Sequence, residues 1–63
     1  MRVDDLVLAR RALRTAITHL MDARVGASAV DRAELTERIE VLMRSLEAVK
    51  RDLYRANHPE VSA

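Results

Sequence analysis

Leu35, Ile39, Leu42, Leu46, Val49, Leu53 and Ala56 follow one another at intervals of 4, 3, 4, 3, 4 and 3 residues. Three heptads in which every a and d position is apolar predict a helix that lies along other helices. Such a stripe needs a partner, and the upstream sequence supplies one. Leu6, Ala9, Leu13, Ala16, Leu20 and Ala23 repeat at helical spacing, with Ile17 and Met21 beside them. Alternating Leu and Ala lets two backbones approach closely, because Ala leaves no bulk between them. A fold of two helices lying antiparallel follows from the shortness of the segment between them.

Local signals place the ends. Asp4 is the expected N-cap of the first helix, with Val3 and Leu8 as a hydrophobic staple and Asp5 in the first turn. Gly26 is expected to end it as a left-handed C′ residue. Asp31-Arg32-Ala33-Glu34 reads as a capping box, and Val30 with Leu35 as its staple. Asp31 is therefore the expected second N-cap, with Ser28 as the alternative if an extra turn forms. His58-Pro59 closes the second helix, since a residue before Pro is pushed out of the helical region. The expected organisation is one domain, 1–63, with helices at about 5–25 and 32–57, a turn at 26–30 and a polar tail at 58–63. Glu34–Arg38, Glu40–Arg44 and Glu47–Arg51 are spaced for i, i+4 pairs on the second helix, each worth about 0.2–0.5 kcal/mol.

Composition bears on how such a hairpin becomes stable. The chain has 63 residues, one Gly, one Pro and no Cys. Below about 70–80 residues a single core rarely supplies more than about 3–5 kcal/mol, and the remedies are disulfides, a metal or oligomerisation. Without Cys the first remedy is closed, and thiolate metal sites close with it. The apolar stripes are also wider than one helix contact needs, since Val7 and Met21 flank the first and Val41, Met43 and Tyr54 the second. A wide apolar band left open marks an interface. The expected fold is all-α, an antiparallel helical hairpin completed as a homodimeric four-helix bundle.

Catalysis is not expected. Glu34, Glu37, Glu40 and Glu47 lie off the heptad seam and read as a solvated face. There is no Ser/His/Asp set, no glycine-rich phosphate loop and no Glu-x-x-His. His19 and Asp22 are spaced i, i+3, but zinc sites usually take three or four protein ligands, so neither metal nor cofactor is expected. The net charge of +1 argues against a polycation drawn in bulk to nucleic acid or membrane. The acidic start at Asp4 and Asp5 and the lack of an 18-residue apolar run argue against a leader or a membrane span; a cytoplasmic protein is the expectation.

Two resemblances add to this reading. Two helices of this size, a short acidic-capped turn, small-plus-Leu layers and a late Leu53-Tyr54-Arg55 resemble the repressor-of-primer proteins of plasmids. That resemblance implies a hairpin that dimerises into a four-helix bundle and binds RNA through its first helix, where Arg10, Arg11 and Arg14 stand here. The family's aromatic and amide residues on that face have no counterpart in this chain. Leu13-Arg14-Thr15-Ala16-Ile17-Thr18 is similar to the segment after the phospho-accepting His of sensor histidine kinase hairpins. Arg11 stands where that His would be, Ala12 at the Glu position and Ala16 at the Pro position, so the likeness implies hairpin geometry and not phosphotransfer.

The resulting expectation is a non-enzymatic protein–protein interaction module, an adaptor, chaperone or regulator. Its self-association and partner surface is assigned to Leu13, Ile17, Leu20, Met21, Leu35, Ile39, Leu42, Met43, Leu46, Val49, Leu53 and Tyr54. A protein partner is expected at the C-terminal overhang of the second helix, around Arg51, Tyr54, Arg55 and His58. The alternative is an RNA- or DNA-binding regulator that uses Arg10, Arg11 and Arg14 against phosphates.

Overall fold

The computed structural model describes residues 2–62, with side-chain environments over 2–60; Met1 and Ala63, the ends of the expected 1–63 domain, lie outside the described residues. Helix α1 spans Val3–Val25, α2 spans Ala29–Asn57, and α3 is a single turn, Pro59–Ser62. No strand occurs among the described residues. The two long helices pack on each other as a hairpin, giving a rod of 48 × 18 × 14 Å.

Three helix ends differ from the sequence expectation. Helix α1 starts at Val3, not after Asp4, and its N-cap Arg2 makes no side-chain capping bond. The Leu6 N–H bonds the Arg2 carbonyl at 3.1 Å, and Asp4 and Asp5 sit in the first turn, at the positive end of the helix dipole. The remaining amides of this exposed end can be satisfied by water, so no side-chain cap is required.

The second difference is at the other junction, where Ser28 and not Asp31 is the N-cap. Ser28 Oγ accepts from the Asp31 N–H at 3.3 Å, and the Ser28 carbonyl accepts from the Arg32 N–H at 2.8 Å. Starting at Ala29 adds a turn of backbone hydrogen bonds and still leaves Asp31 in the first turn. Arg32 closes the junction by donating from Nη2 to the Ala27 carbonyl at 3.2 Å.

The third concerns Gly26, which has φ −100° and ψ 8° and is not left-handed. The chain leaves α1 through a tighter bond from the Ala27 N–H to the Arg24 carbonyl at 3.2 Å and enters extended Ser28 directly. So short a turn leaves no room for the longer left-handed cap.

At its far end α2 stops at Asn57, and His58 takes φ −134°, ψ 66° ahead of Pro59. Residues 59–62, assigned to a polar tail by sequence, form α3, with Pro at the first helical position where its missing N–H costs nothing. On the surface of α2, Glu47 pairs with Lys50 at 3.2 Å and not with Arg51, while Glu34–Arg38 and Glu40–Arg44 stay open.

Among the described residues four side chains are buried: Leu6, Ile17, Ile39 and Leu53. Ile17, expected beside the stripe, is central, whereas Ala23 is exposed and Arg24 is half-buried in its place. Leu6 and Ile17 stand eleven residues apart, close to three full turns, so they share a line along the axis. Residues repeating every seven drift away from it by about 20° per heptad. Arg24 donates from Nη1 to Thr36 Oγ1 at 3.2 Å and sets the register. Counting along each helix from this bond puts Ile17 about level with Met43 and Leu6 about level with Tyr54. The burial of Leu53 agrees, because α1 must still run beside α2 at that height. The C-terminal overhang is therefore shorter than expected, and among the overhang residues named above Tyr54, Arg55 and His58 remain exposed at that end.

Candidate interaction surface

Two helices side by side form one layer, and domains are ordinarily built from at least two. The hairpin therefore has two broad faces. Successive helical residues step by about 100°, which assigns each side chain to one of them. To one side of the line through Leu6 and Ile17 lie Ala9, Ala16, Leu20 and Ala23; to the other lie Arg10, Arg14 and Met21. On α2, Leu35, Leu42 and Val49 with Arg38, Ser45 and Asp52 lie to one side of Ile39, and Thr36, Met43, Lys50 and Tyr54 to the other. Both helices are right-handed and they run in opposite directions, so the first-named set of each helix falls on the same face. Open space lies on this side: a groove of about 600 Å³ runs from Leu20, Arg38 and Leu42 around α2 to Glu37, Glu40 and Arg44, and a second of about 300 Å³ is lined by Ala23, Ala27, Leu35 and Arg38.

The residues expected to form the interface separate into three groups. Ile17, Ile39 and Leu53 are used up inside the hairpin, each no more than 7% exposed. Leu13, Leu20, Leu35, Leu42, Leu46 and Val49 are half-buried, so α1 and α2 cover only part of each. Met21, Met43 and Tyr54 are 37%, 44% and 54% exposed and occupy the opposite face. The d positions of the heptad, Leu35, Leu42 and Val49, are thus left open along the alanine-bearing face, while the a positions Ile39 and Leu53 are closed.

Arg10 is half-buried, and Arg11 and Arg14 are exposed. The three spread over about 100° of the helix circumference, so they make a ridge along α1 and not a flat patch. No side-chain hydrogen bond or ion pair within the chain engages any of them among the described residues. His19 and Asp22 are both exposed on the outer side of α1, and no group of three or more potential metal ligands gathers among the described residues.

One cluster escaped the sequence reading. The Tyr54 and His58 rings stack with centroids 4.2 Å apart and planes 28° from parallel, and His58 Nδ1 lies 3.5 Å from Glu60 Oε1. The i, i+4 spacing of Tyr54 and His58 was the available signal. The bend that Pro59 imposes at His58 was also legible, but the sequence did not show that the two rings stack across it. No helix among the described residues is long and apolar enough to cross a membrane. No known protein-family model, curated protein or solved structure matches the chain.

Proposed function

We propose that this chain is a small non-enzymatic interaction protein whose hairpin pairs with a second copy into a four-helix bundle. The exposed end of α2 around Tyr54 then serves as a docking point for a protein partner. A rigid aromatic ring with a polar tip suits such a contact. The observation that carries the reading is the area left open. The chain exposes 4876 Å², whereas a folded monomer of its mass, 7.1 kDa, is expected to expose about 4,100 Å². The excess, about 800 Å², is what one partner contributes to a standard interface. Leu20, Leu35, Leu42 and Val49, each only partly covered by its own chain, add apolar surface to the open face, with Val41 50% exposed on the same side of α2.

The test is absolute mass by light scattering on a sizing column. Twice 7.1 kDa is expected, and a well-folded monomer at micromolar concentration overturns the reading.

A second reading, RNA or DNA binding, is favoured by Arg10, Arg11 and Arg14 having no side-chain partner among the described residues. It requires salt-dependent retention on nucleic acid that is lost on Arg10→Ala/Arg14→Ala. Absence of retention in the parent protein removes it.

A further inference from the structure

We infer that two copies pair through their α2 helices, antiparallel, across a two-fold axis beside Ser45, so that Arg38 of each copy meets Asp52 of the other. This rests on the self-association proposed above and states which surface and which arrangement perform it.

Arg38, Ser45 and Asp52 are spaced at seven-residue intervals along α2. They lie on the open face, at its edge, next to the half-buried Leu35, Leu42 and Val49. All three are exposed, and neither Arg38 nor Asp52 makes an ion pair within its own chain among the described residues. A cation, a small neutral residue and an anion at equal spacing are complementary to themselves when the strip is reversed. An isologous interface requires that property, because the same patch serves both partners. At 1.5 Å per residue each charge is about 10 Å from Ser45, on opposite sides, so a two-fold axis at Ser45 brings Arg38 and Asp52 together twice.

The apolar residues follow the same symmetry. Leu42 lies three residues before Ser45 and Val49 four residues after it, so the axis sets Leu42 of one copy beside Val49 of the other, on both sides of a small central residue. On α1, Ala12 and Ala16 stand about level with Ser45 in the register set by Arg24 and Thr36. The axis therefore lays two alanine-bearing stretches of α1 over each other, where backbones can approach closely.

The other face-to-face arrangement has its two-fold axis along the bundle and puts α2 over the partner's α1. In the register set by Arg24 and Thr36, Arg38 would then stand about level with Ala23 of the partner's α1, whose neighbour Asp22 is on the outer side of that helix, and Asp52 about level with Ala9, so the open face of α1 offers no acid to Arg38 and no Arg or Lys to Asp52. Paired rim charges mainly set register and exclude wrong partners, and this pattern selects the antiparallel α2 pairing.

Two readouts test it on the full chain. Because the sequence has no Cys, a disulfide in Ser45→Cys can form only between copies. Oxidation should convert that variant to covalent dimer, while Glu47→Cys, on the opposite face of α2, should stay uncrosslinked. Separately, Arg38→Asp and Asp52→Arg should each raise the dimer dissociation constant roughly tenfold by opposing like charges twice. An equimolar mixture of these two variants should recover parental affinity, since the heterodimer restores both pairs with reversed polarity at one. Circular dichroism checks that each variant keeps its helices.

A parent that dimerises, with no Ser45→Cys cross-link and no effect of either charge reversal, overturns this arrangement and leaves self-association standing. A parent that is monomeric overturns both.

Discussion

Arg24 of α1 donates a hydrogen bond from Nη1 to the Thr36 hydroxyl of α2, at 3.2 Å and partly buried. This contact ties the last turn of one helix to the early part of the next and decides which layers face each other. Thr36→Val preserves shape and removes the acceptor, leaving a half-buried guanidinium donor unpaired. The expected loss is about 0.5–1.5 kcal/mol in urea unfolding, and Thr36→Ser should recover most of it. Equal midpoints for Val and Ser would show that the bond contributes nothing.

Capping at the start of α2 separates two acidic-end candidates. Ser28→Ala removes the oxygen that accepts the Asp31 N–H and should cost about 0.5–2 kcal/mol. Asp31→Ala removes only a charge near the positive end of the helix and should cost about 0.3–1 kcal/mol, less at high salt. Denaturant midpoints in the reverse order would restore Asp31 as the cap.

Gly26 is the third case. Its φ of −100° is open to any residue, and a Cβ built there meets nothing within 4 Å. Gly26→Ala should therefore stabilise the hairpin by about 0.4–1 kcal/mol through the unfolded chain. A loss of stability would indicate the left-handed conformation expected from sequence.

Ile39 and Leu42 differ in what they hold together. Ile39 is 3% exposed and belongs to the intrachain core, so Ile39→Ala should cost about 2–5 kcal/mol. Leu42 is half-covered by its own chain. Leu42→Ala should chiefly weaken association, seen as a smaller rise of Tm with protein concentration than in the parent. If both variants change Tm alike at every concentration, the two residues share one role.

The heptad seam from Leu35 to Ala56 was enough to read two helices packed on each other, because spacing along one helix is a local property. The candidate surface was only partly legible. The sequence marked Leu13, Ile17, Leu20, Leu35, Ile39, Leu42, Leu46, Val49 and Leu53 as one apolar set, and burial divides that set in two. Tyr54 stood out by composition and the bend at His58 by the proline after it, but the stacking of the two rings depends on side-chain placement that spacing alone does not give.

Helix type, the position of the turn and the presence of an apolar stripe on each helix were determined by residues a few positions apart, through capping, backbone preference and periodicity. Tertiary structure decided which edge of each stripe turns inward. That choice placed Ile17 inside and Ala23 outside, closed Ile39 and Leu53, and left Leu42 and Val49 open. The reason is that a 3.6-residue helix drifts against a seven-residue repeat, so the inward line depends on where two helices meet along their whole length.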